Sequence, residues 1–200
     1  MNPFYTMPNI LTETSEGATA HSLQDELFKE REIELVGEIT QESAYSIILQ
    51  LRYLQKSDSA APITVYINSP GGEVASGLAL YDVMRAVKCP VRTVCVGTAA
   101  SMAAILFASG TERGILPHGK IMIHDPLTTG INGSALTIDS LSRNLMETRQ
   151  ITAGILAKHT GRTLDETFRL YRKRYLFQRP GGCRLRPGRL HRGRNVRWKP

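Results

Sequence analysis

Acidic residues are missing from one end of this chain. Positions 171 to 200 hold 11 Lys or Arg and no Asp or Glu, leaving 14 basic against 18 acidic residues, a net of −4, in positions 1 to 170. The formal charge of +7 over 200 residues therefore belongs to a tail, and the body is mildly acidic. Cysteine is scarce too. Cys89, Cys95 and Cys183 make an odd count without metal-ligand spacing, and the first two stand in apolar stretches where a thiol behaves as a small hydrophobe; no metal site is expected. Long hydrophobic runs are absent, since no stretch approaches the roughly 18 apolar residues of a membrane span. The opening MNPFYTMPNILTETSEG has neither a basic start nor an apolar stretch followed by small residues, so no secretory signal is read there and a cytoplasmic location is expected.

What is present suits a single α/β domain with an ordinary core, the apolar fraction being 42%. The polar, acidic segment up to about residue 30 reads as a flexible arm leading into a helix around His21 to Phe28. Residues 33 to 37 alternate like a strand, and residues 41 to 55 place Ala44, Ile47, Ile48, Leu51 and Leu54 at helical spacing. ITVYIN at 63 to 68 is a β-rich run closed by a Ser-Pro-Gly-Gly turn, and helical periodicity follows from Val74 to Val87. Val91 to Val96 reads as a third strand, Ser101 to Ser109 as a small-residue helix, and Lys120 to Ile123 as a fourth strand ending at His124. Successive strand–helix steps predict parallel strands joined by crossovers, hence an α/β fold. A Gly-punctuated loop or short hairpin at 127 to 133 precedes a long helix from Ser134 to Lys158, stopped at Gly161. That helix has more apolar residues than its own core needs, which fits packing against another subunit as well as a plain amphipathic core helix.

Three segments could carry chemistry. V-C-V-G-T-A-A-S-M-A-A presents Ser101 where a strand gives way to a helix, and a helix N-terminus offers unpaired N–H groups and a positive dipole end for an oxyanion. A serine in that place is more often a simple N-cap. I-N-S-P-G-G at 67 to 72 has glycines that allow close backbone approach, so their N–H groups can point at a bound carbonyl; alone it is an ordinary turn. M-I-H-D-P at 122 to 126 puts His124 at a strand end, where an open α/β sheet keeps its active-site base. His21 and His191 lie in flanking segments, and His118 and His159 sit beside glycines at turns, so His124 is the best-placed base. Asp125 is a poor candidate to orient its own neighbour's ring, because on a continuing strand it would face the other way.

In this order and spacing, together with L-F-K-E-R-E-I-E-L-V-G-E-I at 27 to 39 and A-K-H-T-G-R-T-L at the end of the long helix, these segments resemble the Clp protease proteolytic subunits, the ClpP family. The resemblance spans about residues 8 to 169. It implies a ClpP/crotonase-like α/β fold of repeated ββα turns with a protruding long helix. It also implies Ser101 as the nucleophile of a serine endopeptidase, His124 as its base, and the N–H groups of Gly72 and Met102 as the oxyanion hole. It further implies a homo-oligomer of two stacked heptameric rings enclosing a chamber, with polypeptide substrates fed by an AAA+ Clp unfoldase that uses the ATP. The subunit itself takes no cofactor. Neither a membrane nor a nucleic-acid partner is expected.

The chain departs from the family at its third catalytic residue. The slot for the triad aspartate falls on Arg174, and a guanidinium cannot accept the imidazole N–H bond. Residues 171 to 199 admit synonymous codons that, read one base on, encode an ending of the family's type with aspartate at the catalytic slot. The basic tail is therefore expected to result from a change of frame near codon 170 and, as written, to be disordered. The division expected is an arm and first helix over 1 to 30, a protease domain over 31 to 170 and the tail over 171 to 200. Weighed against the peptidase are an inactive ring subunit lacking the acid, an acyl-CoA enzyme of the crotonase relatives and an anion-binding module using the tail.

Overall fold

The computed structural model describes residues 8–15, 17–128, 130, 132–172 and 175–178. The chain begins with a hairpin, β1 (Asn9–Thr14) and β2 (Gly17–Ser22), paired from Asn9 opposite Ser22 to Thr14 opposite Gly17. This corrects the expectation of an unstructured arm: the acidic composition masks alternating, β-prone residues, and Gly17 at φ 129 lets the chain turn. His21 accordingly lies on a strand, and the first helix, α1 (Leu23–Lys29), begins after it. Ser22 starts that helix with a reciprocal cap, its Oγ accepting from the Asp25 N–H while the Asp25 carboxylate accepts from the Ser22 N–H.

The body continues as β3 (Glu32–Ile39), α2 (Gln41–Ser57), β4 (Ile63–Gly72), α3 (Val74–Ala86), β5 (Val91–Ala100), α4 (Met102–Ser109), β6 (Glu112–Ile115), β7 (Lys120–Ile123), α5 (Ala135–Thr160), α6 (Leu164–Arg172) and β8 (Tyr175–Gln178). The sheet order is β3-β4-β5-β7-β8, with β6 also on β5. All pairs are parallel except β7 with β8, so the crossovers expected from the strand–helix rhythm are present and the fold is the α/β fold of the ClpP type. Ser-Pro-Gly-Gly is not a turn, as expected, but the last part of β4. Register shifts between Val36 and Glu38, and between Ile67 and Ser69, make room for Pro70, which has no N–H for a ladder. Long β5 meets β6 along Arg92 to Cys95 and β7 along Thr98 to Ala100. The tail expected to be disordered contributes β8, four residues of the sequence Tyr-Leu-Phe-Gln that pair antiparallel with the open edge of β7. Its remaining residues, from 179, lie outside the described ones.

Ile33, Leu35 and Ile39 of β3 and Ile63, Val65 and Ile67 of β4 are buried in a core with Ala44, Ile47, Leu51 and Leu54 of α2. Every residue of α4 is buried, as an all-round apolar helix must be. In contrast, α5 joins the core only through its second half, at Thr152, Ala153, Leu156 and Thr160, while Leu136 near its start is 82% exposed. Among the described residues no helix is long and apolar enough to cross a membrane.

Candidate active site

β5 delivers the chain to Ser101, and α4 starts one residue later. Ser101 has φ 54 and ψ −122, a region that side chains with a Cβ rarely enter and that costs on the order of 1–3 kcal/mol. The surroundings enforce it. The Ser101 N–H donates to the Met122 carbonyl at 2.8 Å, the Ser101 carbonyl accepts from the Ala104 N–H at 3.0 Å, and the chain runs straight on into buried α4. Although Ser101 stands at the N-cap position, its hydroxyl makes no cap hydrogen bond. The ordinary role of a serine there is thus not taken up.

Of the two glycines of β4, Gly71 comes up against this turn and Gly72 against Ile39 of β3. A Cβ on Gly71 would lie 2.7 Å from Ser101 Cβ and 2.9 Å from the Met102 nitrogen, and one on Gly72 would lie 2.2 Å from the Ile39 carbonyl oxygen. The Gly71 N–H is engaged by Ser69 Oγ at 3.1 Å. Met102 opens α4, so its N–H has no acceptor within the helix. The four residues named from the sequence therefore fall on two adjoining segments and one strand end.

That strand end is β7, whose Met122 lies opposite Ala100, the residue before Ser101. His124 comes one residue after the strand. Ser101 and His124 line one narrow cleft, partly open to solvent, with Val74, Met102, Ile105 and Pro126 among its other walls. A model of the Clp protease family matches residues 15–178 of the chain. The chain belongs to the Clp protease family. This is a family of serine peptidases, hydrolases of peptide bonds, and the segments that carry Ser101 and His124 lie within the match.

For a member of the Clp protease family the surroundings of its histidine are of special interest. His124 Nδ1 lies 2.5 Å from the backbone carbonyl oxygen of Asp125. A carbonyl only accepts, so this contact suits a ring that donates from Nδ1, the arrangement that leaves Nε2 to face the cleft as an acceptor in the neutral form. The Asp125 carboxylate is turned away, as expected from its position, and accepts from Arg149 Nε at 2.6 Å. The Arg149 guanidinium lies 4.1 Å over the Phe168 ring. Tyr171, also in the cleft wall, has its phenol pushed up to about 12, chiefly by burial. The carboxylate of Asp125 is thus on Arg149 and its main-chain carbonyl on the imidazole of its neighbour. Arg174 lies outside the described residues.

Sequence reasoning also missed Gly77 in α3. A Cβ there would come within 2.2 Å of Met102 Cγ, so the bare helix face makes room for the side chain that anchors the start of α4. Glycine inside an otherwise regular helix, at about 1 kcal/mol below alanine, was the available signal. His159, expected at a turn, lies in the last helical turn of α5, with Nε2 3.0 Å from the Tyr81 hydroxyl. Cys89 and Cys95 are buried and unpaired, and burial raises the Cys95 thiol. Among the described residues no three His, Cys, Asp or Glu side chains gather where they could hold a metal ion.

Proposed function

We propose that the chain is the proteolytic subunit of a compartmentalised, cytoplasmic serine endopeptidase. Ser101 Oγ attacks the scissile carbonyl, His124 Nε2 takes the hydroxyl proton and returns it to the leaving amine, and water then releases the acyl group by the reverse sequence. The developing oxyanion is held by the N–H groups of Gly72 and Met102, at the meeting of β4 with α4. The observation that carries this reading is the placement of Ser101. It is held at φ 54 with its hydroxyl unused for capping, in the same cleft as His124, whose Nδ1 faces a main-chain carbonyl.

The substrates proposed are unfolded polypeptides, delivered by an AAA+ Clp unfoldase into a chamber of two stacked heptameric rings. The apolar residues along the exposed half of α5, Leu136, Ile138 and Leu141, support burial against further copies of the chain. A fluorophosphonate probe tests the chemistry: it should label the full chain at Ser101, and neither Ser101→Ala nor a denatured control should react. Labelling unaffected by Ser101→Ala would sink the proposal.

The acid slot on Arg174 favours a second reading, a ring subunit with impaired catalysis. Loss of the orienting acid lowers turnover by about 10⁴-fold in other serine proteases. Assembled rings whose Ser101 stays unlabelled would select it. We also propose that the tail arises from a change of frame near codon 170, for which the nucleotide sequence is the test: a shifted frame without an aspartate codon at slot 174 overturns it.

A further inference from the structure

The geometry points to Asp125 as the residue that positions His124 in this chain, its main-chain carbonyl holding the ring and its carboxylate clamped by Arg149 to keep that carbonyl in place. The catalytic consequence rests on the reading of Ser101 and His124 given above, whereas the ring's tautomer does not.

A serine protease needs three things from the partner of its histidine: the right tautomer, the right ring orientation and some compensation for the imidazolium that forms. The Asp125 carbonyl, 2.5 Å from Nδ1, supplies the first two and, as the negative end of a dipole, part of the third. A carbonyl can do this only if it is itself fixed, and residues 124 to 128 have no regular secondary structure to fix it. The side chain of the same residue provides the anchor. Asp125 accepts from Arg149 Nε at 2.6 Å, with Arg149 only 20% exposed, so the pair is better shielded than one on the open surface. Arg149 is in turn pinned between α5, which carries it, and the Phe168 face of α6, 4.1 Å away. The histidine loop is thereby tied to two helices by a single guanidinium. Sequence separation hides the arrangement, because Asp125 and Arg149 are 24 positions apart in chain order.

The test uses the full chain with ¹⁵N-labelled histidine, His124 being assigned by the signal lost in His124→Gln. Two-bond ¹H–¹⁵N spectra at pH 8 should show His124 with its proton on Nδ1. The histidine side chain in water prefers the Nε2–H form, so Arg149→Ala should move His124 toward that form and Arg149→Lys should restore part of the difference. Fluorophosphonate labelling at Ser101 should slow by about tenfold or more in Arg149→Ala, as expected for a misplaced base, and Asp125→Asn with Arg149→Ala should be no slower than either alone. If Arg149→Ala fails to fold, the near-isosteric Asp125→Asn is read in its place. A Nε2–H ring in the unaltered chain, or a tautomer and labelling rate indifferent to Arg149, overturns the inference. Should the ring be Nδ1–H and respond to Arg149 while Ser101 never reacts, positioning stands and the nucleophile reading falls. Labelling that occurs but ignores Arg149 keeps the nucleophile and removes the positioning role.

Discussion

Ser101 occupies backbone space that suits glycine, and the turn around it holds it there. The strain implies a comparison between two variants that lack the hydroxyl. Ser101→Gly relieves the strained φ, whereas Ser101→Ala keeps a Cβ in place, so the glycine variant should be the more stable by about 1 kcal/mol in denaturant unfolding, the relief outweighing the greater entropy of unfolded glycine. Equal stabilities, or a more stable alanine variant, would show that the turn is not strained. Ser101 and His124 could be singled out in the sequence because each stands in a segment of distinctive composition, and the structure places both in one cleft. The strain was not legible there, since it arises from the Met122 carbonyl and from buried α4 acting together. Nor could the sequence reveal Arg149, which reads as one charge among many on a long helix until the loop after β7 is seen to reach it.

At the scale of elements, two glycines in helices face opposite circumstances. A methyl group on Gly77 of α3 would run into Met102, while one on Gly154 of α5 meets nothing within 4 Å. Gly154→Ala should therefore stabilise the chain by about 0.5–1 kcal/mol through helix propensity alone. Gly77→Ala should destabilise it by about 1–3 kcal/mol despite the same gain, and should slow Ser101 labelling as Met102 shifts. Thermal melting of both variants checks the pair. The strand–helix rhythm, and with it the parallel sheet, was readable because apolar periodicity switches between two and 3.6 residues over segments of adequate length. The N-terminal hairpin and β8 were not. Each is short and lies in a stretch whose charge suggested solvent, and pairing with a neighbouring strand decided its structure. β4 was cut short for a related reason: Pro-Gly-Gly ordinarily ends a strand, and here a bulge absorbs it.

Across the whole molecule, pH acts through His159, which ties α5 to α3 by its bond to the Tyr81 hydroxyl. Burial, and then the charges of Arg85, Lys158 and Arg113, push its imidazole down to about 4 from 6.5. Between those values the unfolded chain holds a proton that the folded chain does not, so stability is full above pH 6.5 and is lost as pH falls toward 4. Unfolding free energies measured across that window should decline with acid, and His159→Gln should flatten the decline. A slope unchanged in the variant would assign the acid sensitivity elsewhere.

β7, which leads to His124, is only four residues long, with β5, which leads to Ser101, on one flank and β8 on the other. The stretch just past α6 is thus zipped directly to the backbone leading into the imidazole, Tyr175 lying across from Ile123. An error in the gene downstream of that helix would reach the proposed reaction centre through main-chain pairing as well as through any lost side chain.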